Sequence, residues 1–405
     1  MASVMAARIT ADSLIEEIPG VVVDVGERPA RLREITDVGR FETLRPLWDE
    51  LLAQDPNATI FQSWEWQFTW WRHFGGGKLH ILLVSDPPEN RALCAIAPLT
   101  TRPYVLPWLR ELSFVGSGVS DYLDLICLPD CAPSAMKAVV DFIRSGARRW
   151  DFVDLHQIPP GGAALMAAEF VDEVNHGLSA EYVDHETCAS VPLPDSWEEY
   201  RKSLGKSLRF NIGYSERSLG KLFNLSVGRA TEDDLDNEMD TLFRLHGRRW
   251  RSRRQPGVLA GGRIRRFHKD VARALMDRGR LRLYYLKLDG VTQAALYCFA
   301  FKDTMYYYLG GFEPRLAKYG LGTILTAHAI RDAIESGMSR FDMLRGREDY
   351  KNRWGSKTSP NSRLLISKPD ARSRTARALH GLERRIEHAY KERAVRPRGA
   401  KPASD

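Results

Sequence analysis

Long hydrophobic runs are missing from this sequence of 405 residues. No apolar stretch reaches the roughly 18 residues that a membrane-spanning helix needs. The N-terminal segment MASVMAARITADSLIEEIPG also lacks the continuous apolar stretch of a secretory signal peptide. We therefore expect a soluble, cytoplasmic protein.

Cysteine is scarce and irregularly spaced. The chain has five: Cys94, Cys127, Cys131, Cys188 and Cys298. An odd number of cysteines in mostly strand-like apolar surroundings predicts reduced core residues rather than a disulfide framework. The spacing of Cys127 and Cys131 does not match a zinc knuckle, and no second pair follows, so we expect no metal site.

Several familiar catalytic motifs are missing too. We find no convincing Ser-His-Asp signature, P-loop, HExxH motif or dinucleotide-binding motif followed by an acidic residue. A reaction through a covalent enzyme intermediate is therefore not favoured.

An internal repeat predicts two copies of one unit. Residues 141–151 match residues 332–342 without a gap, with six identities in eleven positions. Each copy reads as a helix, a Gly stop and a strand with an Asp near its start. The length and the 43% hydrophobic content suit two α/β domains of roughly 150 to 190 residues. We place an N-terminal extension at 1–28, domains at 29–188 and 189–369, and a tail at 370–405.

A Gly turn follows a predicted strand of the second domain. The aromatic run 305–309 is β-prone, and Gly320 and Gly322 lie where the chain turns into a helix. A helix start presents unpaired N–H groups and a positive dipole end, which suit a pyrophosphate. Plain turn chemistry is the alternative. The candidate phosphate cradle comprises Lys318, Tyr319, Gly320, Leu321, Gly322 and Thr323.

Polar residues cluster after the repeated strand. The group that suits an anionic ligand comprises Asp342, Arg345, Glu348, Tyr350 and Lys351. Asp342 has a structural alternative, because a carboxylate near a strand start often only binds backbone N–H groups.

Three further groups are candidates. His246, Arg249 and Trp250 share one face of a predicted helix, which suits proton transfer beside an anion. Arg209 and Asn211 lie on a basic helical stretch, for which a solvated face is the alternative. Another group, Asp121 and Tyr122, follows a Gly-rich turn and could recognise hydroxyls, or could form an Asx-type turn.

Most of the net charge of +7 lies in the tail. Residues 371–405 contain ten Lys or Arg and four Asp or Glu. Apolar residues at helical spacing (Leu379, Leu382, Ile386 and Tyr390) predict a basic amphipathic helix before an unstructured end. The helix could make weak contact with RNA or an anionic membrane. Equally, its apolar stripe could pack on the body.

The Gly turn carries a family resemblance. Ala317-Lys-Tyr-Gly320-Leu-Gly322 resembles the Q/R-x-x-G-x-G/A motif of the GNAT superfamily; both glycines match, and the first position does not. Most of the chain is similar to tandem-GNAT (CelD-like) proteins associated with cellulose biosynthesis. The layout also resembles Fem-type aminoacyltransferases of peptidoglycan synthesis, whose late K-x-x-F-G-like motif is echoed by Lys351-Asn-Arg-Trp354-Gly355. The stretches that carry the tandem-GNAT resemblance are Trp64–Trp66, Ser120–Tyr122, Ser207–Asn211, Leu245–Trp250 and Phe341–Trp354.

The resemblance implies an α/β (α+β) fold of two tandem GNAT-like domains. Each would be a mixed twisted sheet flanked by helices, with the basic helix added at the C-terminus. Acetyl-CoA or another acyl-CoA would be the co-substrate, and Lys351 would stabilise charge on the acyl carbonyl. The implied catalytic residues are His246, Lys351, Asp342 and Tyr350, and the implied substrate-binding residues are Arg209, Asn211, Arg249, Trp250, Arg345, Glu348, Asp121 and Tyr122.

The expected reaction is acyl transfer to an amine or hydroxyl of a sugar, polysaccharide or envelope precursor. An aminoacyl-tRNA donor is the first alternative, and a non-catalytic binding or scaffold protein of a polysaccharide system is the second. The protein could lie at the inner face of the membrane. No oligomeric state follows from the sequence.

Overall fold

One mixed β-sheet runs through both halves of the chain. The computed structural model describes residues 21–23, 30–86, 91–146, 149–174, 177–252, 257–346 and 348–395. Within these ranges fourteen strands form the order β1-β2-β3-β4-β5-β7-β14-β8-β13-β12-β11-β10-β9, and β6 pairs with β4. Their bounds are β1 (Val21–Val23), β2 (Ala30–Ile35), β3 (Lys78–Asp86), β4 (Arg91–Tyr104), β5 (Leu106–Phe114), β6 (Ile126–Cys127), β7 (Phe152–Ile158), β8 (Ser179–Pro192), β9 (Leu225–Arg229), β10 (Leu281–Leu288), β11 (Val291–Phe301), β12 (Thr304–Phe312), β13 (Arg340–Arg345) and β14 (Lys357–Ser367).

Helices cover the two faces of the sheet. Local sequence explains where they form. The Ser63 side chain caps the third helix by accepting a hydrogen bond from the N–H of Trp66. The ninth helix buries Phe267, Val271 and Leu275 at four-residue spacing. Their bounds are α1 (Val38–Thr43), α2 (Arg45–Gln54), α3 (Trp64–Phe74), α4 (Ala132–Ser145), α5 (Ala167–Val174), α6 (Trp197–Ser203), α7 (Lys206–Gly220), α8 (Leu235–Ser252), α9 (Gly262–Asp277), α10 (Leu321–Glu335), α11 (Asp349–Asn352) and α12 (Ala371–Val395).

Each half contains one short parallel pair of strands. Residues 111–113 of β5 pair with 152–154 of β7, and residues 304–306 of β12 pair with 340–342 of β13. Asp154 and Asp342 are the last residues of β7 and β13 in these two parallel pairings. Asp154, and not the Asp151 of the sequence repeat, is therefore the structural counterpart of Asp342. The two copies differ because the chain between helix and strand is longer in the first.

The two halves share strands. β14 lies between β7 and β8, and β8 lies between β14 and β13. β8 and β14 are antiparallel from the Ser179–Ser367 pair to the Ser190–Lys357 pair. The C-terminal strand thus extends the sheet of the first half, and β8 extends the sheet of the second. The predicted boundary at residues 188 and 189 falls inside β8, because the units exchange strands there.

An aromatic core joins the halves. Trp66 of α3 is fully buried, with its ring 5.3 Å from Phe267 and 5.6 Å from Phe299. Trp70 is also buried, so both tryptophans belong to the core. Glu65 is 1% exposed and forms ion pairs with Arg278 (3.2 Å) and Arg280 (3.1 Å) of the second half. A buried carboxylate held in this way fixes the relative position of the two halves.

Regular structure is interrupted at two places. α6 and α7 are separate helices, because Leu204 is extended and Gly205 caps α7. β6 comprises only Ile126–Cys127. There the Asp124 carboxylate accepts hydrogen bonds from the N–H groups of Leu125, Ala163 and Ala164, which replace strand pairing.

All five cysteines are buried and none forms a disulfide bond, which confirms the predicted reduced core residues. Among the helices that the structure describes, none is long and apolar enough to cross a membrane. Within the same residues, no cluster of His, Cys, Asp or Glu could hold a metal ion.

The C-terminal helix packs on the first half. Ala376 of α12 is fully buried in a cluster with Tyr104, Leu109 and Phe152, whereas Leu382 is 52% exposed. Arg372 adds an ion pair with Asp151 at 2.8 Å. Of the predicted apolar stripe, Leu379 packs against this cluster and Leu382 does not, so packing on the body is observed only for the first turns. The side chains at 386 and 390, and residues 396–405, lie outside the described part.

We expect Ala376→Asp to lower the free energy of unfolding by about 2–4 kcal/mol, because it buries an unpaired carboxylate. Thermal or urea unfolding measures this loss. Ala378→Asp is the matched control, since Ala378 lies on the same helix and is exposed. Equal stability of the two variants would contradict docking of α12.

Candidate functional site

The candidate site lies where β12 and β13 part, and we call this region the divergence. Opposite β12, Tyr297 pairs with Leu309 and Cys298 pairs with Tyr307, so Tyr308 is the extra residue of a β-bulge. The Tyr308 hydroxyl donates to the carbonyl of Val119 in the first half at 2.6 Å. The bulge therefore ties the start of the divergence to the loop after β5.

Asp342 sits at the base of the divergence. It is 3% exposed, accepts from the Tyr122 hydroxyl at 2.9 Å, and accepts from the N–H of Leu344 at 2.8 Å. Burial raises the pKa of Asp342 to about 6. Leu344 has φ +56°, a left-handed conformation that non-glycine residues rarely adopt. The backbone contact that we considered for Asp342 is present, together with a second contact from the first half.

Asp121 and Arg345 form a second link between the halves. Nε of Arg345 lies 2.6 Å from Oδ1 of Asp121 and 3.8 Å from Glu186. Burial raises the pKa of Asp121, and the Arg345 guanidinium partly opposes that effect. The fold thus brings together Asp121 and Tyr122 from one half with Asp342 and Arg345 from the other. The Asp121 carboxylate binds a guanidinium, so it is not simply an Asx-turn acceptor.

Lys351 organises the chain after β13. Its ammonium donates to the carbonyls of Leu344 (3.1 Å), Arg345 (2.7 Å) and Gly346 (3.3 Å), and Glu348 lies 3.1 Å away. An ammonium has three hydrogens to donate, and these carbonyls can accept all of them. Lys351 is 3% exposed. In this structure it holds the loop together, and a role at an oxyanion would require one of these bonds to break.

His246 is a buried neutral base on α8. It is 2% exposed, and burial, with smaller contributions from Arg249 and Arg265, lowers its pKa to about 4. A Cβ at Gly311 would lie 2.5 Å from the backbone nitrogen of His246, so α8 meets β12 only because that residue is glycine. The half-buried Trp250 ring lies 5.8 Å from the imidazole. The His246 imidazole is therefore uncharged at neutral pH.

Sequence reasoning did not single out His268. It is 1% exposed on α9, burial lowers its pKa to about 3, and its ring lies 5.3 Å from that of Tyr308. A His beside the apolar stripe of an amphipathic helix looks like an ordinary core residue. No sequence signal distinguishes it.

The end of β12 collects the remaining polar groups. Arg249 donates from Nη1 to the carbonyl of Gly310 at 3.3 Å and lies 5.1 Å above the Phe312 ring. Tyr350 and Tyr307 share a hydrogen bond between hydroxyls, and burial raises the pKa of both. Both phenols therefore stay protonated at neutral pH. Tyr307 had not been predicted, because it stands within a run of three tyrosines.

The Gly turn has the predicted form. Gly320 has φ +68°, and α10 begins at Leu321 without a side-chain cap. A Cβ at Gly322 would meet the Phe312 ring at an ordinary 3.8 Å, so packing alone does not require glycine there. The side chain of Leu321 belongs to the core at 1% exposure, and the N–H of Thr323 bonds to the Gly320 carbonyl at 2.9 Å. Lys318 lies over the Tyr319 ring.

A cleft with three arginines lies beside the chain that leads into the turn. Its volume is about 510 Å³, and its walls include Arg244, Arg248 and Arg315 together with the acidic Asp289 and Glu313. Glu313 pairs with Arg248. Sequence analysis missed Arg244 and Arg248, because arginines on the outer face of a helix usually indicate solvent exposure.

Two predicted substrate residues lie elsewhere. Asn211 is exposed on α7, and Arg209 reaches the carbonyl of Lys202 at 3.5 Å. Their surroundings match the solvated-face alternative. Glu348 is also exposed, beside Lys351.

Comparison with known proteins defines the class of domain. Residues 206–352 match a family described as an acetyltransferase (GNAT) domain. This range contains α7 through α11 and therefore every element that forms the divergence and the Gly turn. Residues 206–352, in the second half of the chain, are thus similar to a GNAT acetyltransferase domain. No curated protein matches the sequence.

Solved structures share most of this architecture. FemX has a TM-score of 0.56 at 13% identity, over 79% of this chain and 95% of FemX. The C-terminal domain (DUF2156) of a putative lysylphosphatidylglycerol synthetase from Agrobacterium fabrum gives 0.51 at 13% identity, over 83% and 95%. A conserved protein of unknown function from Bacteroides thetaiotaomicron gives 0.50 at 11% identity, over 86% and 100%. Identities this low establish the fold alone, and they confirm the predicted α/β class; the CelD-like assignment stays a prediction.

Lys351→Met should lower the free energy of unfolding by about 2–4 kcal/mol, since three carbonyls lose a charged donor. Chemical denaturation measures the change. Lys318→Met is the control, because Lys318 is an exposed lysine of the same domain. If Lys351→Met unfolds like the control and the wild type, the carbonyl contacts do not stabilise the loop.

Proposed function

We propose that this protein is an acyltransferase that moves an acyl group, most simply acetyl, from acyl-CoA to an amine or hydroxyl. The acceptor that we favour is a sugar, polysaccharide or envelope precursor. The observation that carries the proposal is the β12–β13 divergence, with its bulge at Tyr308, beside a helix that starts at Gly320. The same domain contains the N-terminus of α10, which has no side-chain cap, and the neutral imidazole of His246.

The Gly turn suits the phosphates of the donor. Backbone N–H groups at the start of α10 and the positive end of its dipole favour an anion. Ala317 stands where the motif has Gln or Arg, and Arg315 together with Lys318 supplies charge nearby. Because Gly322 has no side chain, a phosphate could approach the backbone of the first helical turn closely.

Proton transfer falls to residues with shifted pKa values. Acyl-CoA supplies an activated thioester. His246 is neutral and can take the proton that the acceptor's amine or hydroxyl loses. The sulfur leaves as a thiolate, and Tyr350, which keeps its proton, can donate a hydrogen bond to it. Asp342 and Arg345 anchor the base of the divergence, so their expected part is positioning.

An aminoacyl-tRNA donor is the second candidate. The departure at Ala317 weakens the CoA motif, and the cleft lined by Arg244, Arg248 and Arg315 equally suits nucleic-acid phosphates. The similarity to FemX concerns the fold and leaves the donor open. A scaffold without activity is the third candidate, with the divergence serving only to bind.

We expect acetyl-CoA to bind the wild type in calorimetry, and Gly322→Val to raise the dissociation constant at least roughly tenfold, because a side chain blocks the backbone approach. Its melting temperature should stay near that of the wild type. Gly220→Val is the control, since Gly220 is also helical and has open space around it.

No heat with millimolar acetyl-CoA would refute the acyl-CoA donor. In that case, retention of the protein on aminoacyl-tRNA at physiological salt would support the second candidate. If acetyl-CoA binds but the protein turns over no acyl donor, the scaffold without activity would be the candidate that remains.

The rate should fall on acidification near pH 4 rather than near pH 6.5, because the imidazole of His246 must be neutral to accept a proton. Arg265→Gln removes a positive charge that depresses this pKa, so the acid limb should move to higher pH. His246→Ala should remove the limb and lower kcat. A pH–rate profile tests all three, and an unchanged rate in His246→Ala would assign the base elsewhere.

A further inference from the structure

The outer face of α7 is unusual for a solvent-exposed helix. Phe210 is 62% exposed and Tyr214 is 56% exposed, one turn apart, with their rings stacked at 5.6 Å and 16°. Leu222, just beyond the helix, is 58% exposed. Leu208 and Ile212, on the opposite face, are buried. The helix therefore presents apolar side chains on both faces.

Basic residues bracket the aromatic pair. Lys206, Phe210, Tyr214, Arg217 and Lys221 recur at intervals of three and four, so they form one continuous exposed line that we call the α7 stripe. Arg209 flanks the line, and Glu216 is the acidic residue of the helix. The α7 stripe thus combines an apolar centre with positive ends.

An ordinary amphipathic helix has a polar outer face. Adjacent exposed aromatic residues with a polar rim mark a binding surface more often than chance exposure. The positive ends require an anionic partner, and the apolar centre requires one with an apolar layer behind the charges. A bilayer that contains anionic lipids has both.

We propose that the α7 stripe docks the protein on an anionic lipid bilayer. Lys206, Arg217 and Lys221 would bind headgroup phosphates while Phe210 and Tyr214 enter the headgroup boundary. Leu222 favours lipid over RNA, because an aliphatic side chain offers no ring for a base.

The docking surface adjoins the candidate site. A Cβ on Gly320 would lie 3.0 Å from Oγ of Ser215 in α7, so the helix borders the Gly turn. Docking would hold the divergence near the bilayer, where a lipid-linked acceptor would be presented. This last consequence rests on the proposed function, whereas docking itself does not.

The test is co-sedimentation of the full chain with phosphatidylcholine vesicles, with and without phosphatidylglycerol. We expect binding only with phosphatidylglycerol, weakened by salt. Phe210→Ser with Tyr214→Ser should reduce the partition coefficient at least roughly tenfold, because the apolar contacts are lost. Val38→Ser, on an exposed residue of α1, is the matched control and should bind as the wild type does.

A second pair, Arg217→Gln with Lys221→Gln, should weaken binding and flatten its salt dependence. The melting temperature and acetyl-CoA affinity of all variants should match the wild type, which separates failure here from failure of the acyl-CoA proposal. Vesicle binding that does not depend on phosphatidylglycerol, or that persists after the Phe210 and Tyr214 changes, overturns the proposal. Oligouridine serves as the RNA probe. If the Phe210 and Tyr214 changes abolish oligouridine binding while vesicle binding persists, the proposal is also overturned.

Discussion

The antiparallel pairing of β8 with β14 is the constraint on which the rest of the structure depends. Each strand continues the sheet of the opposite half, so neither half can complete its sheet alone. Because backbone hydrogen bonds fix register and direction, the pairing also fixes how the two halves face each other. Asp121 and Tyr122 reach Arg345 and Asp342 only in that arrangement.

Buried charge reinforces this arrangement. Glu65 and Asp121 are each almost fully buried, and each meets guanidinium groups from the second half. Removing one partner of such a pair leaves an uncompensated charge, which is strongly destabilising. Together with the aromatic core around Trp66, these pairs favour one relative orientation. A site built from residues of both halves is therefore held rigidly before any ligand binds.

The two copies use equivalent positions differently. Asp154 and Asp342 both end their parallel ladders, yet their surroundings differ. Burial alone would raise the pKa of Asp154, but His156, His380 and Arg363 hold it well below its usual range. His380 belongs to α12 and Arg363 to β14, so the chain's C-terminal elements engage the first copy's carboxylate. Asp342 instead meets a tyrosine hydroxyl and keeps a pKa near 6. One architecture thus gives a structural position in the first half and a candidate site in the second.

The sequence alone determined the local features: the duplicated helix-Gly-strand unit, the Gly turn into a helix at Gly320 and the reduced cysteines. These follow from periodicity, glycine stereochemistry and hydrophobicity, which act over a few residues. Tertiary structure alone decided the exchange of strands across the predicted boundary, the carbonyl contacts of Lys351 and the pKa of His246. It also decided that Asp154 is the counterpart of Asp342. Each of these depends on burial or on contacts between residues distant in sequence, and no local pattern encodes either.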